Sequence, residues 1–263
     1  MLFPTSTFTT HCRRAISGNI FPQYISTSSP VPGPLVGRFF FASSLRYNFP
    51  FNLSRTHFLL SLHELQCRRG ERQLFSNVDV KLQRGELLQV EGENGSGKTS
   101  LLRIVAGLSE AASGNVRWCD EIIGELAEDY FRELLYLGHA AAIKDELTAL
   151  ENLQSTLQLS GEPAATANAK QALIDAGLKD RLDLPAKYLS QGQRRRVALA
   201  RLCLSERPLW ILDEPFTALD VSAVAWVAEL IARQLKRNGI VLFTTHQDVP
   251  IPGFTPRKIK LNS

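Results

Sequence analysis

Residues 92–99 combine glycine, lysine and threonine at a spacing that could hold a triphosphate. They read Gly-Glu-Asn-Gly-Ser-Gly-Lys-Thr, a full match to the phosphate-binding pattern G-x-x-x-x-G-K-[ST]. Glycines let backbone N–H groups surround phosphate oxygens at a helix N-terminus, while the lysine reaches the β- and γ-phosphates and the threonine hydroxyl ligates Mg²⁺. The sequence therefore predicts a nucleoside triphosphate site formed by Gly92, Glu93, Asn94, Gly95, Ser96, Gly97, Lys98, Thr99 and Ser100.

The segments on either side of this loop support that interpretation. Residues 86–91 are strand-like, and residues 100–106 are helical and end at Gly107. A glycine-rich turn without chemical meaning is the alternative, but a strand–loop–helix context is what a phosphate-binding loop requires.

Two carboxylates follow a second apolar run. Asp213 and Glu214 come directly after Leu209–Leu212. A buried strand would deliver Asp213 to the metal and Glu214 to a water beside the γ-phosphate, which Glu214 could polarise as a general base. Considered alone, the two residues could also be an ordinary carboxylate pair at a strand end, and His246, after the apolar residues 240–243, could be a hydrogen-bonded core histidine.

Taken together in their order and spacing, these motifs resemble the nucleotide-binding domain of ABC transporters, over residues 57 to about 262. The resemblance implies ATP hydrolysis, with Glu214 and His246 as catalytic residues and with Thr99 and Asp213 as ligands of Mg²⁺. It also makes Asp220 the D-loop residue. The residues that stand for the family's signature are Leu189, Ser190, Gln191, Gly192 and Gln193. The basic run 194–196 would otherwise be a solvated helix face.

One domain per chain has a further implication within this family. The sequence has no internal repeat, and in ABC ATPases the signature of one protomer closes on the ATP of the other. Ser190 and the Gly192 backbone would then donate to a γ-phosphate in trans. The resemblance thus implies a homodimer or pairing with a related ATPase domain. It also implies that a membrane-spanning subunit engages the groove between His139 and the helical lobe.

The resemblance can be narrowed to the ATP-binding subunits of cytochrome c maturation (haem exporter) complexes. Residues 134–139 and 146–153 carry it, and His139 stands where generic ABC domains have the glutamine of the Q-loop. The implied partner is then the membrane-spanning subunit of that complex. An ABC ATPase of another organellar assembly, such as iron–sulfur cluster scaffolding, shares every catalytic motif. A non-hydrolytic adaptor is the third alternative, and the intact Lys98, Asp213, Glu214 and His246 argue against it.

The adenine contact departs from the family pattern. Arg69-Gly70 stands where an aromatic residue followed by glycine would stack on the base. Arg69 could stack through its guanidinium plane, or Phe75 could substitute. A solvated basic turn at residues 68–72 is the alternative.

The N-terminal segment differs sharply in composition from the rest of the chain. The first 63 residues contain five Arg, no Lys, no Asp and no Glu, together with many Ser and Thr. This composition predicts an organellar transit peptide over residues 1–56, a disordered unprocessed tail being the alternative. The resemblance favours the matrix face of the mitochondrial inner membrane over a plastid. Five of the 30 basic residues lie in this segment, which leaves 25 against 26 acidic residues from Glu64 onward, so nucleic-acid binding is not expected.

The remaining residues, 57–263, predict one α/β domain of the P-loop NTPase class. We expect a mostly parallel core sheet with an antiparallel β edge, and a helical subdomain at about 145–205 that is broken by Gly161, Pro163 and Gly177. The signature helix should run to Leu204, and strands and helices should alternate to the end of the chain. Apolar residues at helical spacing predict one of these helices over Val221–Lys236. No stretch of the sequence approaches the 18–20 apolar residues of a membrane helix, and Cys67, Cys119 and Cys203 are expected to be reduced thiols.

Overall fold

The computed structural model describes residues 59–162 and 165–261. The predicted leader, residues 1–56, lies outside the described residues, as does Pro163, one of the expected helix breaks. The strands are β1 (Leu60–Arg69), β2 (Arg72–Leu82), β3 (Leu87–Glu91), β4 (Ser113–Trp118), β5 (Glu121–Ile122), β6 (Leu134–Leu137), β7 (Leu209–Leu212), β8 (Ile240–Thr244) and β9 (Arg257–Lys260). The α-helices are α1 (Lys98–Val105), α2 (Ile123–Leu126), α3 (Glu128–Glu133), α4 (Ala149–Leu159), α5 (Thr166–Asp175), α6 (Gln191–Leu199) and α7 (Val221–Lys236).

The strands form two sheets. Strands β2-β1-β4-β5 form a four-stranded antiparallel sheet, and strands β6-β7-β8-β3-β9 form a five-stranded sheet in which every pairing is parallel. This arrangement confirms the predicted α/β fold class. The antiparallel strands, expected as an edge of the core sheet, form a sheet of their own, because hairpin-connected strands pair with one another while parallel pairing requires long crossovers.

The central parallel strands explain how distant motifs meet. Leu209–Leu212 and Ile240–Thr244 are buried along their whole length, and β3 is buried up to Val90. Continuous apolar runs of this kind are typical of strands covered by helices on both faces. Since β7, β8 and β3 are neighbours, their carboxyl ends bring Asp213, Thr244 and Gly92 to the same edge of the sheet.

A helical lobe is inserted between β6 and β7. Helices α4, α5 and α6 pack through apolar side chains, which include Leu150, Leu153, Leu157, Ala172, Leu173 and Val197. Asn152, only 4% exposed, fastens the entry into this lobe. Its amide nitrogen donates to the carbonyl oxygens of Lys144, Leu147 and Thr148, and its amide oxygen accepts from the Lys144 N–H at 2.8 Å.

Two sequence expectations about secondary structure are wrong. Helix α6 ends at Leu199 and continues only as a 3₁₀ turn, Ala200–Cys203, so the α-helix does not reach Leu204. Within the described residues, no helix separates β8 from β9. Three prolines in this connection, at positions 250, 252 and 256, explain the second difference because proline disrupts a helix interior. Helix α7 has the expected bounds.

None of the helices in residues 59–162 and 165–261 is both long and apolar enough to cross a bilayer. The longest, α7, has 16 residues.

Candidate functional site

The phosphate-binding loop depends on glycine at two crowded positions. Gly92 and Gly97 have φ angles of +154° and +99°, which L-residues rarely adopt. A Cβ atom at Gly92 would lie 2.4 Å from the Ser96 Oγ atom, and one at Gly97 would lie 2.9 Å from the Phe75 ring. A larger residue would therefore collide with Ser96 of the same loop at position 92 and with Phe75 of β2 at position 97.

Lys98 is directed into this loop. The side chain is 7% exposed, and its ammonium group donates to the carbonyl oxygens of Gly92 at 2.8 Å and Glu93 at 3.0 Å. The Ser96 hydroxyl is buried and has no hydrogen-bond partner among the described residues. A buried cation beside a free hydroxyl donor and helix N-terminal N–H groups is suited to phosphate oxygens.

Asp213 lies at the carboxyl end of β7 and connects two neighbouring strands. Its carboxylate, 1% exposed, accepts from the Thr99 hydroxyl at 2.9 Å and from the Thr244 hydroxyl at 2.8 Å. Carboxylate and hydroxyl oxygens are the ligands that Mg²⁺ prefers, and this ion uses few protein ligands alongside phosphates and waters. The pair Thr99 and Asp213 therefore fits the predicted Mg²⁺ site.

Glu214 has four polar neighbours at the mouth of the site. Its backbone N–H donates to the Thr244 hydroxyl at 2.8 Å, and the Thr217 hydroxyl donates to its Oε2 atom at 3.0 Å. His246 Nε2 lies 3.2 Å from Glu214 Oε1, and His139 Nδ1 lies 3.8 Å from Glu214 Oε2. The carboxyl side chain is 22% exposed, so water can reach a base that its surroundings orient.

The backbone of Glu214 is unusual. Its φ angle is +49°, a left-handed conformation that costs energy for a residue with a Cβ atom. Such strain is found mainly at functional sites, and here it turns the chain sharply after β7. The two adjacent carboxylates consequently serve different partners, with Asp213 buried and Glu214 open to solvent.

His139 reaches this cluster from a third strand end. It follows β6 after Gly138, and its side chain is 65% exposed. Its 3.8 Å distance from Glu214 is too long for a direct hydrogen bond. His139, the Q-loop equivalent, therefore lies beside Glu214 without a hydrogen bond to it.

The signature residues form the N-terminus of α6. The Ser190 hydroxyl accepts from the Gln193 N–H at 3.2 Å, and the Gln193 side-chain oxygen accepts from the Ser190 N–H at 2.9 Å. This reciprocal capping box stabilises the helix start. Gly192 packs against a backbone turn, because a Cβ atom there would lie 2.7 Å from the Ala218 carbonyl oxygen. Ser190 and Gln191 are exposed, so a ligand held by another chain could reach them.

Asp220 stabilises the start of α7. It accepts from the Ala223 N–H at 2.9 Å and from the Ser222 hydroxyl at 2.8 Å, and it forms an ion pair with Arg196 of α6. The Ala223 N–H, followed by the Ser222 hydroxyl and Arg196, lowers the pKa of Asp220. The D-loop residue is therefore a helix cap that also contacts the signature helix.

Sequence reasoning missed three residues that organise the site. Thr217 and Thr244 support the two carboxylates, and Arg195 is 5% exposed rather than solvated. A helical repeat could have identified Arg195, since Leu199 and Leu202 follow it at intervals of four and seven residues and are buried. Thr217 and Thr244 carry no comparable signal.

The suggestion that Phe75 stacks on adenine is wrong. Its side chain is 1% exposed and lies beneath Gly97, so neither face of the ring is open to a base. Arg69 is exposed at the turn between β1 and β2. Stacking of the Arg69 guanidinium on adenine stays a prediction.

Comparisons with known proteins agree with this geometry. The family model described as ABC transporter matches residues 75–217. The chain is 52% identical over 203 residues to the cytochrome c biogenesis ATP-binding export protein CcmA of Dechloromonas aromatica, which covers 77% of this chain and 100% of that protein. It is 50% identical to the protein of the same name from Haemophilus influenzae, with coverages of 73% and 90%.

A solved structure extends the comparison to three dimensions. The chain resembles a dimeric post-hydrolysis state of the ATP-binding cassette MJ0796 bound to ADP and Pi. The TM-score is 0.66 and the identity is 26%, over 77% of this chain and 94% of that one.

Glu214→Gln should preserve nucleotide binding and nearly abolish hydrolysis, because the amide cannot accept a proton from water. We expect a loss of turnover of about 10²- to 10⁴-fold and a dimer that persists in MgATP. Phosphate release and size-exclusion chromatography measure the two effects. The same change at exposed Glu229 is the matched control. A Glu214→Gln protein that hydrolyses normally and stays monomeric would contradict the assigned role.

Lys98→Ala should weaken nucleotide binding by about 10- to 100-fold, since a charge-assisted contact to the phosphates is lost. Titration with a fluorescent ATP analogue measures the affinity. Lys170→Ala, at an exposed position on α5, controls for removal of a positive charge. Equal affinities of the two variants would mean that the loop does not hold the phosphates.

Proposed function

Because the chain belongs to the ABC transporter family, and within it to the CcmA proteins, we propose that it is the ATP-hydrolysing subunit of a mitochondrial inner-membrane complex that exports or delivers haem for cytochrome c maturation. The similarity to CcmA over the whole length of a bacterial relative carries this proposal. The chemistry of the site, a triphosphate loop facing a positioned carboxylate base, supports it independently.

The chain is an ABC-type ATPase, and its own residues account for the steps of hydrolysis. Lys98 exchanges the carbonyl oxygens of Gly92 and Glu93 for phosphate oxygens when ATP enters. Glu214 accepts a proton from the attacking water. His246 lies 3.2 Å from the Glu214 carboxylate and orients it on the side of the site where the γ-phosphate would bind. Thr217 holds the second carboxylate oxygen, which leaves one oxygen to act as the base.

Mg²⁺ is part of the proposal, with Thr99 and Asp213 as its protein ligands. When bound, it would neutralise charge on the β- and γ-phosphates. The hydrogen bond from Thr244 orients the Asp213 carboxylate beside Thr99. Asp213 is thus positioned before ATP arrives.

The signature residues act on a second copy or on a related ATPase domain in this proposal. Ser190 is exposed at the start of α6, and its hydroxyl proton is free to be donated because the oxygen already accepts from Gln193. The Gly192 N–H lies in the same first turn. The dimeric, ADP-bound MJ0796 cassette gives a precedent for such pairing in a similar fold.

An apolar groove beside the helical lobe supports docking of a membrane-spanning subunit. It measures about 340 Å³ and is lined by Ala106, Leu108, Phe131, Arg132, Leu134, Tyr136, Leu159, Ser160 and Arg207. Leu108, Phe131 and Leu159 are 46%, 44% and 87% exposed, which is unusual for large apolar side chains grouped at one place. Tyr136 of β6, three residues before His139, contributes to the lining of this groove.

The relatives' name, cytochrome c biogenesis ATP-binding export protein, favours the cytochrome c pathway over iron–sulfur cluster assembly. In this proposal the ATPase acts on haem delivery by driving its membrane partner. The acid-free, Arg-rich N-terminal composition supports import into mitochondria and a position on the matrix face.

Replacement of the native protein by Glu214→Gln should deplete covalently attached c-type haem and spare b-type haem proteins. The reason is that ATP hydrolysis drives the partner, whereas haem synthesis does not depend on it. Haem-stained gels of mitochondria measure the first, and absorption spectra the second, with Glu229→Gln as the control. Normal c-type haem together with loss of iron–sulfur enzyme activity would contradict the proposal and favour the alternative assembly.

A fluorescent reporter fused to residues 1–63 should enter mitochondria, because an arginine-rich, acid-free segment is drawn across the inner membrane by its potential. Microscopy and protease protection of isolated organelles measure the import. A control fusion carries glutamine in place of Arg13, Arg14 and Arg38. A cytosolic or plastid reporter would overturn the proposed location.

A further inference from the structure

Arg195 joins three parts of the site through hydrogen bonds to backbone. It lies on α6, and its NH1 nitrogen donates to the carbonyl oxygens of Gly138 and His139, both at 3.0 Å. Its NH2 nitrogen donates to the carbonyl oxygens of Asp213 and Glu214, both at 2.9 Å. One buried side chain thus connects the signature helix to both loops that carry the residues around the attacking water.

The chemistry of this contact requires an arginine. Its planar guanidinium has donors in a fixed fork, which can serve two pairs of oxygens at once, whereas a lysine ammonium acts as a single point. The side chain is 5% exposed, so its charge is compensated by these carbonyl dipoles and by the nearby carboxylates of Asp213 and Glu214. Burial lowers the pKa of Arg195, and the two carboxylates oppose that effect.

The position of Arg195 within the helix links it to the signature. It follows Ser190 by five residues, which is about 7–8 Å along a helix axis, and the intervening turn is closed by the capping box. Gly192 packs directly on the Ala218 carbonyl. A shift at the start of α6 therefore moves Arg195 as part of a rigid element.

From this geometry we propose that Arg195 is a positioning residue that couples the two ATP sites of the dimer. The signature of one chain touches the ATP held by its partner, while His139 and Glu214 of that chain serve its own ATP. Arg195 connects the two within one chain. Binding of ATP at the partner's site draws in α6, and Arg195 then aligns the loops that hold His139 and Glu214 for hydrolysis at the chain's own site.

The coupling presupposes the dimeric ATPase proposed above, and its test uses the full chain. Arg195→Met should lower turnover by about 10- to 100-fold, because the base is misplaced, and should change the affinity for a fluorescent ATP analogue by less than about threefold. The wild-type protein should hydrolyse ATP cooperatively, with a Hill coefficient clearly above 1 and at most about 2 for two sites, and the variant with a coefficient of about 1. Arg195→Lys should restore part of the turnover because it retains the charge.

Arg201→Met is the matched control for loss of a largely buried arginine. Arg201 follows α6 in the 3₁₀ turn, and its charge interacts with Glu162 instead of the site. It should reduce thermal stability as Arg195→Met does but keep the cooperativity. Equal cooperativity in the wild-type and Arg195→Met proteins would overturn the coupling, as would its loss in Arg201→Met. A wild-type protein that hydrolyses ATP without cooperativity would also overturn it, while leaving the ATPase assignment intact; absence of any hydrolysis would contradict both.

Mixed dimers locate the effect in one chain. Two differently tagged copies are co-purified, and Glu214→Gln silences one copy, so that turnover comes from the other. Arg195→Met should reduce turnover by about 10- to 100-fold in the active copy and by less than about twofold in the silenced copy. A loss that follows the silenced copy would mean that Arg195 only holds the signature against the partner's ATP, and would refute coupling to its own loops.

Discussion

The buried Asp213 carboxylate is the constraint on which the arrangement of the site depends. At 1% exposure it needs hydrogen-bond donors, and it finds them in Thr99 at the start of α1 and Thr244 at the end of β8. The two donors lie 114 and 31 residues from Asp213 in the sequence. Satisfying one charge therefore fixes the phosphate loop, the proposed Mg²⁺ ligands and the loop that leads to His246 relative to one another.

A buried positive charge lies behind the same loops. Arg195 donates to the backbone carbonyl oxygens of Asp213 and Glu214. The opposite charges reduce the cost of burying each group, although desolvation still lowers the pKa of Arg195. This pairing through carbonyl dipoles holds the strained turn at Glu214, where φ is +49°. The Glu214 carboxylate is consequently oriented by its neighbours and still accessible to water.

The parallel sheet and the helical lobe carry different parts of the site. The sheet presents the groups that bind phosphate and take a proton, because neighbouring parallel strands end at the same edge. The lobe presents the signature at an exposed helix start, and it borders the apolar groove lined by Phe131 and Leu159. The ion pair between Arg196 and Asp220 connects the helix that carries the signature to the start of α7.

The sequence by itself determined the chemistry, the fold class and the bounds of α7. These features are encoded by contiguous residues, such as the eight residues of the phosphate loop or an apolar repeat along one helix, so a local pattern suffices to predict them. Only the tertiary structure decided which of three consecutive arginines is buried, since the partners of Arg195 lie 57 and 18 residues away. It likewise decided that Phe75 lies beneath Gly97 and that His139 stays 3.8 Å from Glu214. Burial and contact depend on what other segments bring to the same place, and no local pattern contains that information.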